Sequence, residues 1–130
     1  MINFKNIMSI AFFGFIGGIL RYLLGVWFAF NGTIIVNIIG CFLLAFLTYF
    51  LLESGTPASW VTLGLGTGLI GSFTTFSSFC LDVVKLAELH SNTYMLTYLT
   101  ISIAGGYLSA FCGMKLGKLS GHSMKWRNKM

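Results

Sequence analysis

Residues 64–79, GLGTGLIGSFTTFSSF, decide the fold. Gly64, Gly66, Gly68 and Gly71 lead into Ser72-Phe73-Thr74-Thr75-Phe76-Ser77-Ser78-Phe79, where five hydroxyls fall within seven residues. This stretch sits near the middle of a 30-residue apolar run from Trp60 to Leu89, long for one straight membrane span. Clustered glycines weaken a helix. Non-helical backbone at membrane depth survives only when it is buried in protein or lines a cavity. Discontinuous helices are a common way to build ion sites there, because freed carbonyls coordinate cations and helix N-termini face anions. We therefore read Gly71–Thr74 as a break between two half-helices. The competing reading is a continuous helix whose hydroxyls bond back to its own carbonyls.

The rest of the chain supports a membrane setting. Of 130 residues, 56% are apolar and 8% charged, and the mean hydropathy is +0.86. A soluble domain carries about 25% charged residues, so eight Lys/Arg and three Asp/Glu are too few to clothe a water-exposed surface. Disorder is excluded by the same apolar content. The runs are continuous and long, which predicts helices and not the alternating strands of a barrel. The predicted class is an all-α integral membrane domain of four transmembrane helices, the third of them broken.

The spans are expected at about residues 7–30, 33–52, 60–89 and 94–116, followed by a basic tail, 117–130. Asn31-Gly32 is a turn signal, Glu53-Ser-Gly-Thr-Pro57 breaks the chain, and His90-Ser-Asn-Thr93 is the next loop. The first run is too long for the apolar core of a signal peptide, and no small-residue cleavage site follows it. Four spans place both termini on one side. Lys5 and the C-terminal Lys115, Lys118, Lys125, Arg127 and Lys129 assign that side to the cytoplasm. The net charge of +5 is therefore a topology signal and a source of headgroup contact, not a nucleic-acid footprint.

Chemistry-bearing residues are few. Cys41, Cys80 and Cys112 each stand alone in apolar runs, and neither histidine has an acidic or cysteine partner nearby in sequence. No nucleophile–base pair or zinc spacing is visible, which argues against an enzyme. Gly14 and Gly18 form a GxxxG on the first span and share a face with Arg21 and Gly25. Ser102, Gly105, Gly106, Ser109 and Gly113 repeat the device on the fourth. Arg21 lies where a cation is costly, so it either snorkels to the far interface or faces an aqueous vestibule. Asn37, the one strongly polar side chain of the second span, is either an interhelical hydrogen bond or a ligand for a permeating ion. Phe76 and Phe79, three apart, are neighbours on one side of the second half-helix. Such a pair usually packs in a core or against lipid. Interleaved with Ser77 and Ser78, its positive ring edges, together with hydroxyl and amide donors, can also hold an anion without a positive side chain. A full positive charge would bind a small anion too tightly for conduction.

GGILRY at Gly17–Tyr22, GTIIVNIIG at Gly32–Gly40 and GSFTTFSSF at Gly71–Phe79 together resemble the Fluc (CrcB) fluoride channels, over about residues 10 to 115. The resemblance implies an antiparallel, dual-topology dimer in a prokaryotic plasma membrane, with two fluoride pores near the dimer interface. It implies pore roles for Asn37, Phe76, Phe79, Ser77 and Ser78, and less specifically for Tyr98 and Ser102. It further implies a structural sodium ion (Na+), not transported, held by the backbone carbonyls of Gly71 and Thr74; carbonyl oxygens suit such a hard cation. A homodimer is expected. The charge bias of the two terminal segments keeps open a subunit of fixed orientation paired with an oppositely oriented paralogue.

Two other functions fit parts of the sequence. A small multidrug-type proton antiporter would need a membrane-embedded carboxylate; the first span has none, and Asp82 reads as an interfacial acid near the end of the third. A non-transporting assembly protein would explain the glycines but not the Thr/Ser/Phe cluster beside a break.

Overall fold

A computed structural model describes residues 3–28, 30–55, 58–89 and 91–127 of the chain. Every element among them is helical: α1 (Phe4–Phe28), α2 (Phe30–Ser54), α3 (Ser59–Leu63), a π-helical segment (Gly64–Ile70), α4 (Gly71–Phe73), α5 (Phe76–Leu89) and α6 (Asn92–Arg127). Residues 59–73 and α5 together form the third span, so four helical runs are long and apolar enough to cross a membrane. The protein is a multi-pass membrane protein.

The four runs pack as two parallel pairs. α1 runs alongside residues 59–73. The Ser9 hydroxyl donates to the Trp60 carbonyl at 2.7 Å, and further along an added Cβ at Gly68 would meet the Ile10 carbonyl at 2.8 Å, while one at Gly17 would run into the Leu69 carbonyl. α2 runs alongside α6, with Gly105 against Ile38, Gly113 against Phe42, Gly117 against Phe46 and Gly121 against Phe50. The Ser109 hydroxyl donates to the Ile38 carbonyl at 2.8 Å in the same register. In lipid the apolar solvent gives no hydrophobic drive between helices, so close backbone approach over small residues is what holds such pairs.

Several boundaries differ from the sequence reading. Asn31 and Gly32 lie inside the first turn of α2, not in a turn. Gly32 serves instead as a contact, since a Cβ there would meet the Leu24 carbonyl at 2.9 Å and Gly25 Cα at 3.0 Å. α2 continues to Ser54 and ends at Gly55, whose φ of +108° suits glycine as a helix terminator. Pro57 and His90 lie outside the described residues. The basic segment from residue 117 is helix as far as Arg127 and continues the fourth span without a break. Gly113, Gly117 and Gly121, spaced by four, keep it seated on α2 beyond the expected end of the span.

The break is also displaced. The glycines do not open the helix; they widen it into a π-turn, in which the Gly71 N–H reaches back five residues to the Gly66 carbonyl. Gly71 is helical. The backbone leaves the helix at Thr74 (φ −76°, ψ 154°) and resumes at Phe76. Among the described residues, Val36, Ile70, Phe73 and Tyr98 form the buried apolar core. They surround this break, while most other large apolar side chains face outward.

Candidate anion site at the helix break

The break is held by α2. Asn37 pairs with the backbone of Thr75 at both ends of its carboxamide: the Thr75 N–H donates to Oδ1 at 2.8 Å, and Nδ2 donates to the Thr75 carbonyl at 2.9 Å. The interhelical bond considered for Asn37 is thus present, and it consumes one of the two Nδ2 hydrogens, leaving a second donor. Thr75 in turn starts α5. Its Oγ1 accepts from the Ser78 N–H at 3.2 Å, donates to Ser78 Oγ at 3.1 Å, and lies 3.2 Å from Ser77 Oγ. A side-chain oxygen before a helix satisfies an N–H that has no intrahelical partner. Back-bonding of a hydroxyl occurs at Thr74, whose Oγ1 donates to the Ile70 carbonyl at 3.0 Å.

Two cavities meet at Thr75. One, of about 430 Å³, is lined by Gly18, Arg21, Gly25, Thr33, Ser77, Ser78 and Thr75 among others. Arg21 is therefore on a cavity wall shared with the hydroxyl cluster. Gly18 and Gly25, on the same face, have no neighbour within 4 Å of an added Cβ and leave that space open. The tight glycine of α1 is Gly17. The second cavity, of about 360 Å³, is lined by Asn37, Thr74, Thr75, Phe76, Phe79 and Ser102, with Cys41 and Gly40 beside them. The structure thus sorts the sequence-nominated residues. Asn37, Phe76, Phe79 and Ser102 share one chamber, Ser77, Ser78 and Arg21 the other, and Thr75 belongs to both.

The aromatic residues form a ladder. Phe76 and Phe79 stack with centroids 5.9 Å apart, and Phe79 stacks on Tyr98 at 5.8 Å. Tyr98 is buried, and its hydroxyl donates to Asp82 Oδ2 at 3.0 Å. Asp82 is only 9% exposed, so its carboxyl is turned into the protein and paired there. The 16-residue separation between the two partners, across a loop, hid this bond from a sequence reading. Phe76 is 78% exposed, so its ring faces outward. Ser102 Oγ is buried with no hydrogen-bond partner, an orphan hydroxyl in the wall of the aromatic chamber.

Two residues escaped the sequence reading as site members. Thr75 was one hydroxyl among five; its signal was a hydroxyl directly before the second half-helix. Gly40 is the other: an added Cβ would overlap Thr74 Cγ2, so this glycine lets α2 close on the break.

Chemically, the site offers many weak donors and no full positive charge in the aromatic chamber. A small anion would meet ring edges, one amide N–H and hydroxyls, each able to replace one water. Arg21 lies in the neighbouring cavity, where it can attract an anion without trapping it in the narrow part.

Comparison with known proteins agrees with this chemistry. A sequence profile described as "CrcB-like protein, Camphor Resistance (CrcB)" matches residues 8–114. A protein named fluoride-specific ion channel FluC 1 from Lactobacillus delbrueckii subsp. bulgaricus is 54% identical over 109 residues, covering 84% of this chain and 85% of its own. FluC 2 of Ligilactobacillus salivarius is 48% identical over 116 residues, 89% and 88% of the two chains. The FluC of Pseudomonas fluorescens is 36% identical over 124 residues, 89% and 99%.

Proposed function

The chain belongs to the CrcB family, and from that premise we infer that it is a fluoride channel, a passive pore that lets fluoride leave the cell. The observation that carries this reading is the chamber at the break, where Phe76, Phe79, the Asn37 amide and the orphan Ser102 hydroxyl converge. Fluoride is small and strongly hydrated. A pore for it must replace water by several modest donors in succession, so that the ion enters and still leaves. Arg21 gathers the anion in the outer cavity. Thr75, Ser77 and Ser78 hand it to the ring edges, and Ser102 and Tyr98 continue the polar path. No step requires a proton to be exchanged.

Reconstituted in liposomes loaded with fluoride, the protein should release that anion and retain chloride, without a proton gradient. Comparable chloride flux, or dependence on a proton gradient, would defeat the proposal and favour the antiporter reading through Asp82.

The assembly we propose is an antiparallel dimer in the plasma membrane, a homodimer in the first instance. Supporting it are the outward-facing Phe76 and the exposed Gly71 beside the break, which a second copy would cover. A reporter fused at Met130 should then be found on both sides of the membrane. Exclusive cytoplasmic location would instead indicate a fixed subunit that needs an oppositely oriented paralogue.

A structural sodium fits the same place. The Thr75 N–H, which an unbroken helix would give to the Gly71 carbonyl, is on Asn37 instead, and Thr74 is extended. Carbonyl oxygens of Gly71 and Thr74 at membrane depth need a partner, and a buried hard cation supplies one. When bound, the ion would neutralise these dipoles and hold two subunits at their axis; it carries no current in this reading.

A further inference from the structure

Asn37 does more than bridge two helices. In α-helical register the Thr75 N–H belongs to the Gly71 carbonyl, four residues back. The preceding bond of that series is made normally: the Thr74 N–H donates to the Ile70 carbonyl at 3.0 Å. The next is diverted to Asn37 Oδ1 at 2.8 Å. We propose that Asn37 is a positioning residue for the cation site: by holding the Thr75 N–H on α2, it keeps the Gly71 carbonyl free to act as a ligand. The proposal rests on the sodium reading above and adds the residue that creates the ligand.

The geometry explains why an asparagine stands there. A carboxamide presents an acceptor and a donor side by side, as a peptide group does, and Asn37 meets both the N–H and the C=O of one residue. Leucine has the same bulk and neither group. The anchor is firm, because the adjacent Val36 is 1% exposed and Gly40, one turn on, lets Thr74 press against α2. Around Gly71 the opposite holds. The nearest atom to an added Cβ is the Gly66 carbonyl at 3.7 Å, so the position is open on its outer side.

The energetic consequence is a competition. Without Asn37, the Thr75 N–H joins the Gly71 carbonyl in having no helical or side-chain partner at membrane depth, which is costly. They can satisfy each other by closing one more turn of helix. That closure removes the cation ligand. Asn37 thus links the anion chamber, which its remaining N–H lines, to the cation site one turn away.

The test is the sodium dependence of thermal stability, read on purified protein in detergent with sodium chloride against N-methyl-D-glucamine chloride. A ligand that binds only the folded state raises the melting temperature, so the wild type should melt several degrees higher in sodium. Asn37→Leu should lose that increment. The double variant Asn37→Leu/Thr75→Pro should regain it, because proline has no N–H to return to Gly71. Thr74, at ψ 154°, already has the conformation that precedes proline. Removing an N–H elsewhere would not rescue a residue that merely ties two helices together. A wild type indifferent to sodium overturns the sodium reading and this proposal with it. A sodium-dependent wild type whose Asn37→Leu variant keeps the full increment overturns the proposal alone, as does a double variant that fails to recover it. Should Asn37→Leu not fold, Thr75→Pro alone decides: it keeps the increment if the N–H is only being held away, and a folded variant without it refutes the proposal.

Discussion

The α2–α6 pair and the third span solve the same problem in opposite ways. Both carry glycines at close spacing in an apolar run. In α6, Gly113, Gly117 and Gly121 repeat every four residues, face the α2 backbone and leave the helix continuous for 36 residues, about 54 Å at 1.5 Å per residue. In the third span, Gly64 and Gly68 likewise face a neighbour, α1, but Gly66 between them faces open space, and the backbone widens to a π-turn before it opens. Glycines on one face zip a helix to its neighbour in both regions; the extra glycine off that face, Gly66, marks the run whose backbone is loosened. One element becomes a rigid wall and the other a place where backbone dipoles are available to ions.

The largest effect should come from the open region. Phe79→Ile keeps apolar bulk and removes a ring edge from the chamber. Fluoride flux should fall by about ten-fold or more, the value of one contact near 1.4 kcal/mol, while the protein still purifies intact. Unchanged flux would reduce the aromatic ladder to packing. Phe15, exposed on α1 and not in the lining of either cavity, is the proper control. Phe73, six residues before Phe79, is not, because it is 6% exposed and its truncation should destabilise the fold.

The rigid pair is broken next. Gly113→Ala places a Cβ against the Phe42 carbonyl, a backbone atom that cannot swing away. Overpacking of this kind costs about 1–3 kcal/mol, read as a lower melting temperature with fluoride selectivity preserved. A neutral result would mean that the two helices are not tightly zipped.

Tyr98→Phe sharpens the comparison at the point where α6 touches the open region. It retains the ring that stacks on Phe79 but strips Asp82 of its donor. Leaving a buried acceptor unsatisfied costs about 1–3 kcal/mol, so stability should drop while stacking persists. If stability is unaffected and flux is lost, the hydroxyl acts on the ion and not on Asp82.

The smallest effect is expected at the charged end of the rigid pair. Lys118 lies 4.9 Å from the Tyr49 ring centroid and Lys115 4.6 Å from that of Phe111. Lys118→Gln should change the melting temperature by no more than about 0.5–1 kcal/mol would produce, because the glycine contacts and not the cation hold α6 in place. A larger loss would make the ion–ring contact part of the zipper.

Composition and hydropathy by themselves determined the membrane class, the four helical runs and the presence of a discontinuity in the third, because apolar length and glycine content are local properties that a bilayer reads directly. The nominated Asn37, Phe76, Phe79 and Ser102 do share one chamber: the two rings stand at helical spacing beside the break, and the packing of α2 and α6 brings the other two to them. Tertiary structure alone decided the rest. It shifted the break from Gly71–Thr74 to Thr74–Thr75, because the partner of the Thr75 backbone is a side chain 38 residues away on α2. It buried Asp82 against Tyr98, split the polar residues between two cavities, and turned the presumed tail into a continuation of α6. Each of these depends on which helix faces which, and at what register. In a lipid-like setting that choice is made by close backbone contact and hydrogen bonds across helices; small-residue spacing marks a packing face in the sequence, but names neither the partner helix nor the register.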